Sequence, residues 1–430
     1  MEIERLYALY RNSAGITTDS RTIRKGEIFF ALKGPAHDGN RHAVAALESG
    51  ALAAVVDDKS LSGERIIVVD DVLSTMSALA VCHRRRLTMP VIGITGSNGK
   101  TTTKELLTAV LSRKGRVHST PGNLNNHIGV PLTLLSAPDD VAFLIVEMGA
   151  NHPGEIAALC RTARPTHGII TNIGTAHIEG FGSFENVIKA KRELYQWLGE
   201  NGGTVIFNDD NPILKEITGG ISSLVAYSSP GSHTLRAEPE ENDGMLLRVS
   251  AEIDGVPYKF PTRLFGAYNT DNVRSAMAVG LFFGVPADDI IEAISSYMPA
   301  NNRSQITETD RNTVICDAYN ANPSSMEKAI GSFAALKAAK KMVILGDMLE
   351  LGTETAPGHS AVIRQLRQID DLKAVLIGPH FREAAAGFPA KLFGSSEAAA
   401  EWLRSEKPEG YTILVKGSRG MMLEKVYPLL

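Results

Sequence analysis

In the stretch VIGITGSNGKTTTKELL, residues 91–107, Gly96, Ser97, Asn98, Gly99, Lys100, Thr101 and Thr102 have the types and order that hold phosphate. Glycines at 96 and 99 let the backbone N–H groups between them turn inward as an anion nest. A helix beginning near Lys100 aims its positive end at the same point. Lys100 would reach the outer phosphates of ATP, and Thr101 would offer its hydroxyl to Mg²⁺. Position 94 is Ile rather than Gly, so the loop is a short GxxGKT form of the longer phosphate-loop pattern. Glu147 ends the apolar run VAFLIVE, where a carboxylate suits a hard divalent cation shared with phosphate oxygens. His177 follows the next such run, inside the Gly-rich NIGTAHIEGFGS.

A lysine in an unexpected place adds to this set. In SFENVIKAKRELYQWLGENGG, helical spacing puts Phe184, Val187, Ile188, Leu194, Tyr195 and Leu198 on one stripe. Lys191 falls near its middle, whereas Glu185, Lys189 and Glu193 point elsewhere. Desolvation alone disfavours a buried ammonium by ~4–7 kcal/mol. Such a position calls for a partner, a chemical role or a modified side chain; the alternative is a stem that snorkels to the rim of the sheet. A neutral amine can capture CO₂ as a carbamate, a two-oxygen anion suited to Mg²⁺. The lack of clustered Cys and His favours Mg²⁺ over structural Zn²⁺.

The elements that must position these groups read as three α/β blocks. Residues 1–86 contain the runs EIFFAL, AAVV and RIIVV; residues 87–298 contain VIGIT, VAFLIV, HGIIT and TVIF. Residues 299–430 contain TVICD, MVILG, KAVLIG and TILVKG. Short, nearly continuous apolar runs alternating with helices predict parallel sheets covered on both faces, with ligands at the carboxyl ends of the strands. The polar interval 228–262 reads as hairpin and loop material at an edge. The phosphate-loop helix is expected to carry Arg113 and Lys114 in its last turn, with Gly115 after it. A helix in the third block is expected to start at a capping box of Ser324 and Glu327.

Composition bounds the function classes. The chain has 430 residues, 43% apolar and 21% charged, with a net charge of −4. That is too long for one core and too acidic for nucleic acid to be the main partner. Cys82, Cys160 and Cys316 form no CxxC pair and read as packed thiols in a reducing compartment. No apolar run reaches the ~18 residues of a membrane span. MEIERLYALYRNS carries acids where a signal peptide needs basic and then apolar residues, so a cytoplasmic location is expected; a monomer is expected as a separate reading that no motif carries.

The motifs TGSNGKTTT, EMGANHPGEI, NIGTAHIEGFGS with KAKRELY, GAYNTDN, DAYNANPSSM, LGDMLELG and VKGSRGM occur in one order. Together they resemble the Mur ligase family over residues 17–425. The resemblance implies three domains: a small N-terminal α/β domain for a UDP-sugar peptide (1–86), a central P-loop ATPase with a mainly parallel sheet (87–298), and a C-terminal Rossmann-like domain (299–430). It implies an ATP-dependent amide ligase that phosphorylates a carboxylate and passes the acyl group to an amine. Glu147 would be a ligand of one Mg²⁺, and His177 with carbamylated Lys191 the ligands of a second. Asn269 and Asn272 would lie by the adenine, Arg303 near the phosphates and Asp317 near the ribose. Ser20, Arg21, Asn125 and Asn126 would meet the sugar peptide; Asn320, Asn322, Lys416 and Ser418 would meet the incoming amine.

The sequence departs from relatives at Tyr268, where many have His, and at Asn302, where Gly is common. DAYNANP replaces the DNPR-type motif of relatives that select a diamino acid. The substrates implied are therefore UDP-N-acetylmuramoyl-tripeptide and D-alanyl-D-alanine, used in peptidoglycan precursor synthesis. Two other readings share the phosphate loop: a sibling ligase with another amine, and a nucleotide switch or motor that hydrolyses without forming an amide.

Overall fold

The computed structural model describes residues 3–227, 235–240, 244–300 and 302–430. The apolar runs read above all form strands, and three parallel or mainly parallel sheets result. The N-terminal sheet orders Ile16–Thr17, Ile28–Phe30, Ala53–Val56 and Ile66–Val68, all parallel.

The central sheet orders Leu224–Tyr227, Thr204–Asn208, His167–Ile170, Val91–Thr95, Phe143–Glu147 and Val117–Ser119, again parallel throughout. Every residue of Val91–Thr95 and Phe143–Glu147 is buried, as two-sided helical cover demands. From Val91–Thr95 the chain crosses first to one side and later to the other. That switch of direction opens a crevice at the carboxyl ends.

The third sheet orders Gln305–Glu308, Thr313–Asp317, Thr412–Lys416, Lys341–Gly346, Leu372–Ile377 and Ala390–Phe393. Gln305–Glu308 is its one antiparallel member. Of the polar interval 228–262, residues 228–234 and 241–243 lie outside the described residues. The rest contributes to a three-stranded antiparallel sheet, Leu235–Pro239, Leu246–Ile253 and Val256–Phe265.

Two helix ends differ from expectation. The phosphate-loop helix, Lys100–Leu111, stops short of Arg113; a tight turn then takes the Arg113 N–H to the Val110 carbonyl at 3.1 Å. The third-block helix is Pro323–Ala334, and its capping box is Asn322 with Ser325, not Ser324 with Glu327. Asn322 Oδ1 accepts from the Ser325 N–H at 2.9 Å, and Ser325 Oγ accepts from the Asn322 N–H at 3.0 Å. Pro323, which has no N–H to satisfy, fits the first helical position and moves the start earlier.

The domains meet in two ways. Leu6, Ile28, Phe30, Met76 and Leu79 of the N-terminal block pack in one continuous core with Val130, Leu134 and Ile156 of the central block. Tyr10 Oη donates to the Leu135 carbonyl at 2.7 Å, and the buried Arg84 guanidinium donates to the Ala163 and Arg164 carbonyls at 2.8 Å. The C-terminal block instead takes Phe265 of the central block into its core, with Met245 and Tyr268 packed against it, and otherwise meets the central block largely through polar groups.

Candidate active site

The phosphate loop is held from behind by the neighbouring strand end. Ser97 N–H donates to the Asn172 carbonyl at 2.9 Å, and Asn98 N–H to Asn172 Oδ1 at 3.0 Å. Thr171 Oγ1 and Asn172 Nδ2 both donate to the Asn98 carbonyl, at 2.6 and 2.9 Å. Gly96 has φ 144° and Gly99 φ 80°, values that β-carbons rarely tolerate. A side chain at Gly99 would also collide with Asn272 Oδ1. The first-turn N–H groups of the helix from Lys100 have no intrahelical acceptor and are set for an anion.

Lys100 Nζ donates to the Gly96 and Ser97 carbonyls at 2.7 and 3.2 Å, so the ammonium sits within the loop it serves. Burial pushes its pKa down to about 8 against the pull of Glu147, and Arg303 adds to the lowering. Thr101 Oγ1 donates to Glu147 Oε2 at 2.9 Å, and Asn125 Nδ2 donates to Glu147 Oε1 at 2.7 Å. Glu147 is 1% exposed. A hydroxyl and a carboxylate meeting beside a phosphate nest form a hard-oxygen donor pair that suits Mg²⁺, which takes few protein ligands and completes its shell with phosphate and water. Among the described residues no three His, Cys, Asp or Glu side chains converge as an all-protein metal cage.

Lys191 lies buried in the helix Phe184–Glu200, on one face with Val187, Leu194, Tyr195 and Leu198. Ser183 caps that helix by accepting from the Asn186 N–H. Glu193, expected to point elsewhere, accepts from the Gly154 and Ala157 N–H groups at 2.7 and 2.8 Å. Among the described residues no carboxylate lies within ion-pair distance of Lys191 Nζ, which rests 5.4 Å from the Phe181 ring centre. Burial, with Lys100 nearby, pulls its pKa down to about 7, so much of the amine is neutral near neutral pH. His177, at φ 55°, caps the short helix Ile178–Phe181, and its Nδ1 pairs with the Glu350 carboxylate of the C-terminal block. Burial and then Lys100 lower the His177 pKa, while Glu350 opposes them.

Residues 97–102 of the phosphate loop, Glu147 and His177 line a cleft of about 480 Å³ between the central and C-terminal blocks, together with Asn125, Asn126, Asn269, Asn272, Arg303, Asp317, Asn320, Asn322 and Lys416, whereas Lys191 does not line it. That volume suits a nucleotide-sized ligand. Many of the polar candidates are already engaged with protein groups. Asn269 Nδ2 donates to the Phe265 carbonyl, and Asn272 links Asn269 to Thr103, bracing the phosphate-loop helix. Asn126 Oδ1 accepts from the Ile128 and Gly129 N–H groups, as a turn-forming side chain does.

Asp317 takes the Lys416 ammonium at 2.6 Å and the Ser304 N–H at 3.1 Å, so Lys416 is held by Asp317. Asn322 Nδ2 donates to Asn98 Oδ1 at 2.8 Å, a clasp across the cleft onto the phosphate loop itself. Arg303 stacks 3.5 Å above the Tyr319 ring, and its buried Nε has no protein partner, which leaves a donor for a ligand. Tyr268, at the position where relatives carry His, bonds Ser304 Oγ at 3.0 Å.

Ser20 and Arg21 do not line this cleft; Arg21 pairs in solvent with Asp19 at 2.7 Å. Ser418 lies 3% exposed and ties loops together, accepting from the Leu349 N–H at 2.9 Å. Sequence reading missed Glu350 and Asp347. Asp347, 1% exposed, accepts from the His380 and Phe381 N–H groups at 3.0 and 2.8 Å and faces the fully buried His359. The motif LGDMLELG marked that region, but nothing in its spacing said which residue faced His177.

The UDP-N-acetylmuramoyl-tripeptide–D-alanyl-D-alanine ligase of Bacillus subtilis is 34% identical over 425 residues, covering 96% of this chain and 92% of that protein. Family models match in succession: the Mur ligase family catalytic domain over residues 12–92, the Mur ligase middle domain over 94–280, and the Mur ligase glutamate ligase domain over 302–419. The chain belongs to the Mur ligase family. Among solved Mur ligases, a crystal structure of MurF from Acinetobacter baumannii superposes with a TM-score of 0.86 at 29% identity, covering 98% of this chain and 97% of that one. The MurF ligase of Thermotoga maritima in complex with ADP gives 0.85 at 27%, with the same coverage. In this Mur ligase the phosphate loop falls in the middle-domain match, and the residues facing it across the cleft fall in the third.

Proposed function

We propose that this chain joins D-alanyl-D-alanine to UDP-N-acetylmuramoyl-tripeptide with cleavage of ATP to ADP and phosphate, as a monomer in cytoplasmic peptidoglycan precursor synthesis. One observation carries the reading: the phosphate loop, Glu147, His177 and the strand-end loops of the C-terminal block converge on a single cleft. Its likeness to ligases of that name over nearly the whole chain supports the same choice.

A tripeptide carboxylate oxygen attacks the γ-phosphorus, ADP departs, and an acyl phosphate forms. The dipeptide amine then attacks the carbonyl carbon, loses a proton, and inorganic phosphate leaves with one former carboxylate oxygen. Lys100 and the first-turn N–H groups stabilise the charge on the transferring phosphoryl group. Arg303, with its free Nε, adds a donor from the opposite wall. Thr101 and Glu147 would hold one Mg²⁺, and His177 with carbamylated Lys191 a second; when bound, such ions neutralise phosphate oxygens. The carbamate would form by attack of the neutral Lys191 amine on CO₂ with loss of a proton. The bracing of Asn269 and Asn272 keeps the adenine side fixed, and Asn98 with Asn322 draws the two walls together to exclude water from the acyl phosphate. Ser20, Arg21, Asn125 and Asn126 would serve the long nucleotide-sugar substrate from the N-terminal side.

The test uses tripeptide nucleotide labelled with ¹⁸O in its terminal carboxylate. Label appearing in released phosphate, together with a product bearing the added dipeptide, is expected. Phosphate release without label, or equal stimulation by unrelated amines, overturns the proposal.

A further inference from the structure

Two departures from relatives converge on one place: Tyr268, where many carry His, and Asn302, where Gly is common. Asn302 (φ 56°) and Ser304 (φ 49°) both lie in the left-handed region, one on each side of Arg303. Glycine takes that conformation freely and asparagine tolerates it, whereas serine adopts it rarely. Strain held on both sides of one residue persists only where the surroundings enforce it.

At Ser304 the enforcement is visible. The residue is 4% exposed. Its Oγ meets Tyr268 Oη at 3.0 Å and accepts from Asn269 Nδ2 at 3.2 Å. Its N–H donates to Asp317 Oδ1 at 3.1 Å, and its carbonyl accepts from the Phe265 N–H at 3.4 Å. One buried serine therefore bonds Tyr268, Asn269 and Phe265 of the central block and Asp317 of the C-terminal block.

Tyr268 is fixed as firmly. Its ring stands edge-on to Phe265, with centres 6.3 Å apart and planes at 78°, and packs against the C-terminal core. Gly266, at φ 86°, lies against that ring, so a side chain there would strike it. Burial pushes the phenol well above its ordinary range, so the hydroxyl keeps its proton. A phenol also carries its oxygen further from the backbone than an imidazole carries its outer nitrogen. Histidine at 268 would fall short of Ser304.

Arg303 is what these contacts surround. It lines the nucleotide cleft with Tyr268, Asn269, Ser304 and Asp317. Its guanidinium lies over Tyr319, 3.5 Å from the ring centre, and its buried Nε has no protein partner among the described residues. Tyr319 locates the outer end of the side chain, and the 302–304 backbone locates its root. We infer that Tyr268 and Ser304 are a positioning pair: their hydroxyl contact sets the backbone from which Arg303 presents Nε to the phosphates of ATP. The inference rests on the ligase reading above and deepens it. Neither hydroxyl needs to touch the reacting atoms, and both act through Arg303.

The test is a double-mutant cycle on the full chain, with ATP, UDP-N-acetylmuramoyl-tripeptide and D-alanyl-D-alanine as substrates. Tyr268→Phe keeps the ring and removes only the hydroxyl. It is expected to lower kcat/KM for ATP about three- to tenfold, as loss of one hydrogen bond predicts, with the KM for the dipeptide and the melting midpoint unchanged. Ser304→Gly, which accepts the positive φ without the hydroxyl, is expected to match that loss. In an Arg303→Ala background neither change is expected to lower kcat/KM further. Where Arg303→Ala turns over too slowly to read, calorimetric affinity for a non-hydrolysable ATP analogue closes the same cycle, with the same expectation. A Tyr268→Phe loss that multiplies with that of Arg303→Ala overturns the assignment and leaves the ligase reading standing, and so does wild-type kcat/KM in Tyr268→Phe. If wild type forms no amide from these substrates, the ligase reading itself fails.

Discussion

The two interfaces of the central block are made of different materials. Toward the N-terminal block it shares a hydrophobic core in which Leu6, Phe30, Met76 and Leu79 are sealed from solvent. Toward the C-terminal block the apolar contact is smaller, Phe265 with Met245 and Tyr268, and the contacts across the cleft are side-chain pairs such as Asn98 with Asn322 and His177 with Glu350. Burial of apolar surface is costly to undo, whereas a polar contact exchanges with water at little net cost. The first interface is therefore a weld and the second a joint. Chemistry that must admit three substrates and then exclude water needs a wall that opens, and the polar side supplies it.

The largest expected effect separates catalysis from this architecture. Lys100→Ala should lower product formation by about a thousandfold or more while leaving the unfolding midpoint near that of wild type; normal turnover would remove the phosphate-loop assignment. Met76→Ala, inside the weld, should cost about 2–5 kcal/mol and bring down the N-terminal and central blocks in one denaturation transition. Two separated transitions would show that the weld is not one.

Third is a pH effect in the same interface. His83 is 1% exposed, bonds Tyr7 Oη at 3.3 Å, and has no partner for Nε2. Burial, reinforced by Arg11, holds its pKa down at about 4. Above pH 6.5 it is neutral folded or unfolded. Between about 6.5 and 4 only the unfolded chain takes up the proton, so stability falls as pH falls, by about 3 kcal/mol in all. Denaturant titrations from pH 7 to 4 should show that loss in wild type and a shallower one in His83→Phe.

A smaller effect concerns Lys191. Removing dissolved CO₂ should reduce activity by about 10–100-fold, with recovery on adding bicarbonate; indifference to CO₂ would exclude the carbamate. Smallest is the joint itself: Asn98→Ala should raise the dipeptide KM about fivefold, the worth of one hydrogen bond, with no shift in melting. A drop in melting temperature as large as that of Met76→Ala would erase the distinction between weld and joint.

How much of this was legible in the sequence depended on distance along the chain. The strand–loop–helix from Val91 to Leu111 is local, and its glycines, lysine and threonine were readable in place. Lys191 was readable because a helical stripe is also local, and the lysine interrupts it. The Ser324–Glu327 cap failed because Asn322 and Pro323 offered a competing start that spacing alone did not rank. Glu350 escaped because it meets His177 from 173 residues away, and Asn322 reaches Asn98 across 224. Such pairings are set by the order of strands in two separate sheets, which local periodicity does not encode. For the same reason nothing local signalled the pairing of Lys416 with Asp317 or of Ser418 with the Leu349 N–H.

The bracing of the phosphate loop by Thr171 and Asn172 has a kinetic consequence. The anion nest is cast before any nucleotide arrives, since Asn172 and Thr171 hold the Ser97 and Asn98 backbone groups from behind. Capture of ATP then requires no folding of the loop around it, so its on-rate should follow diffusion and charge rather than a slow isomerisation.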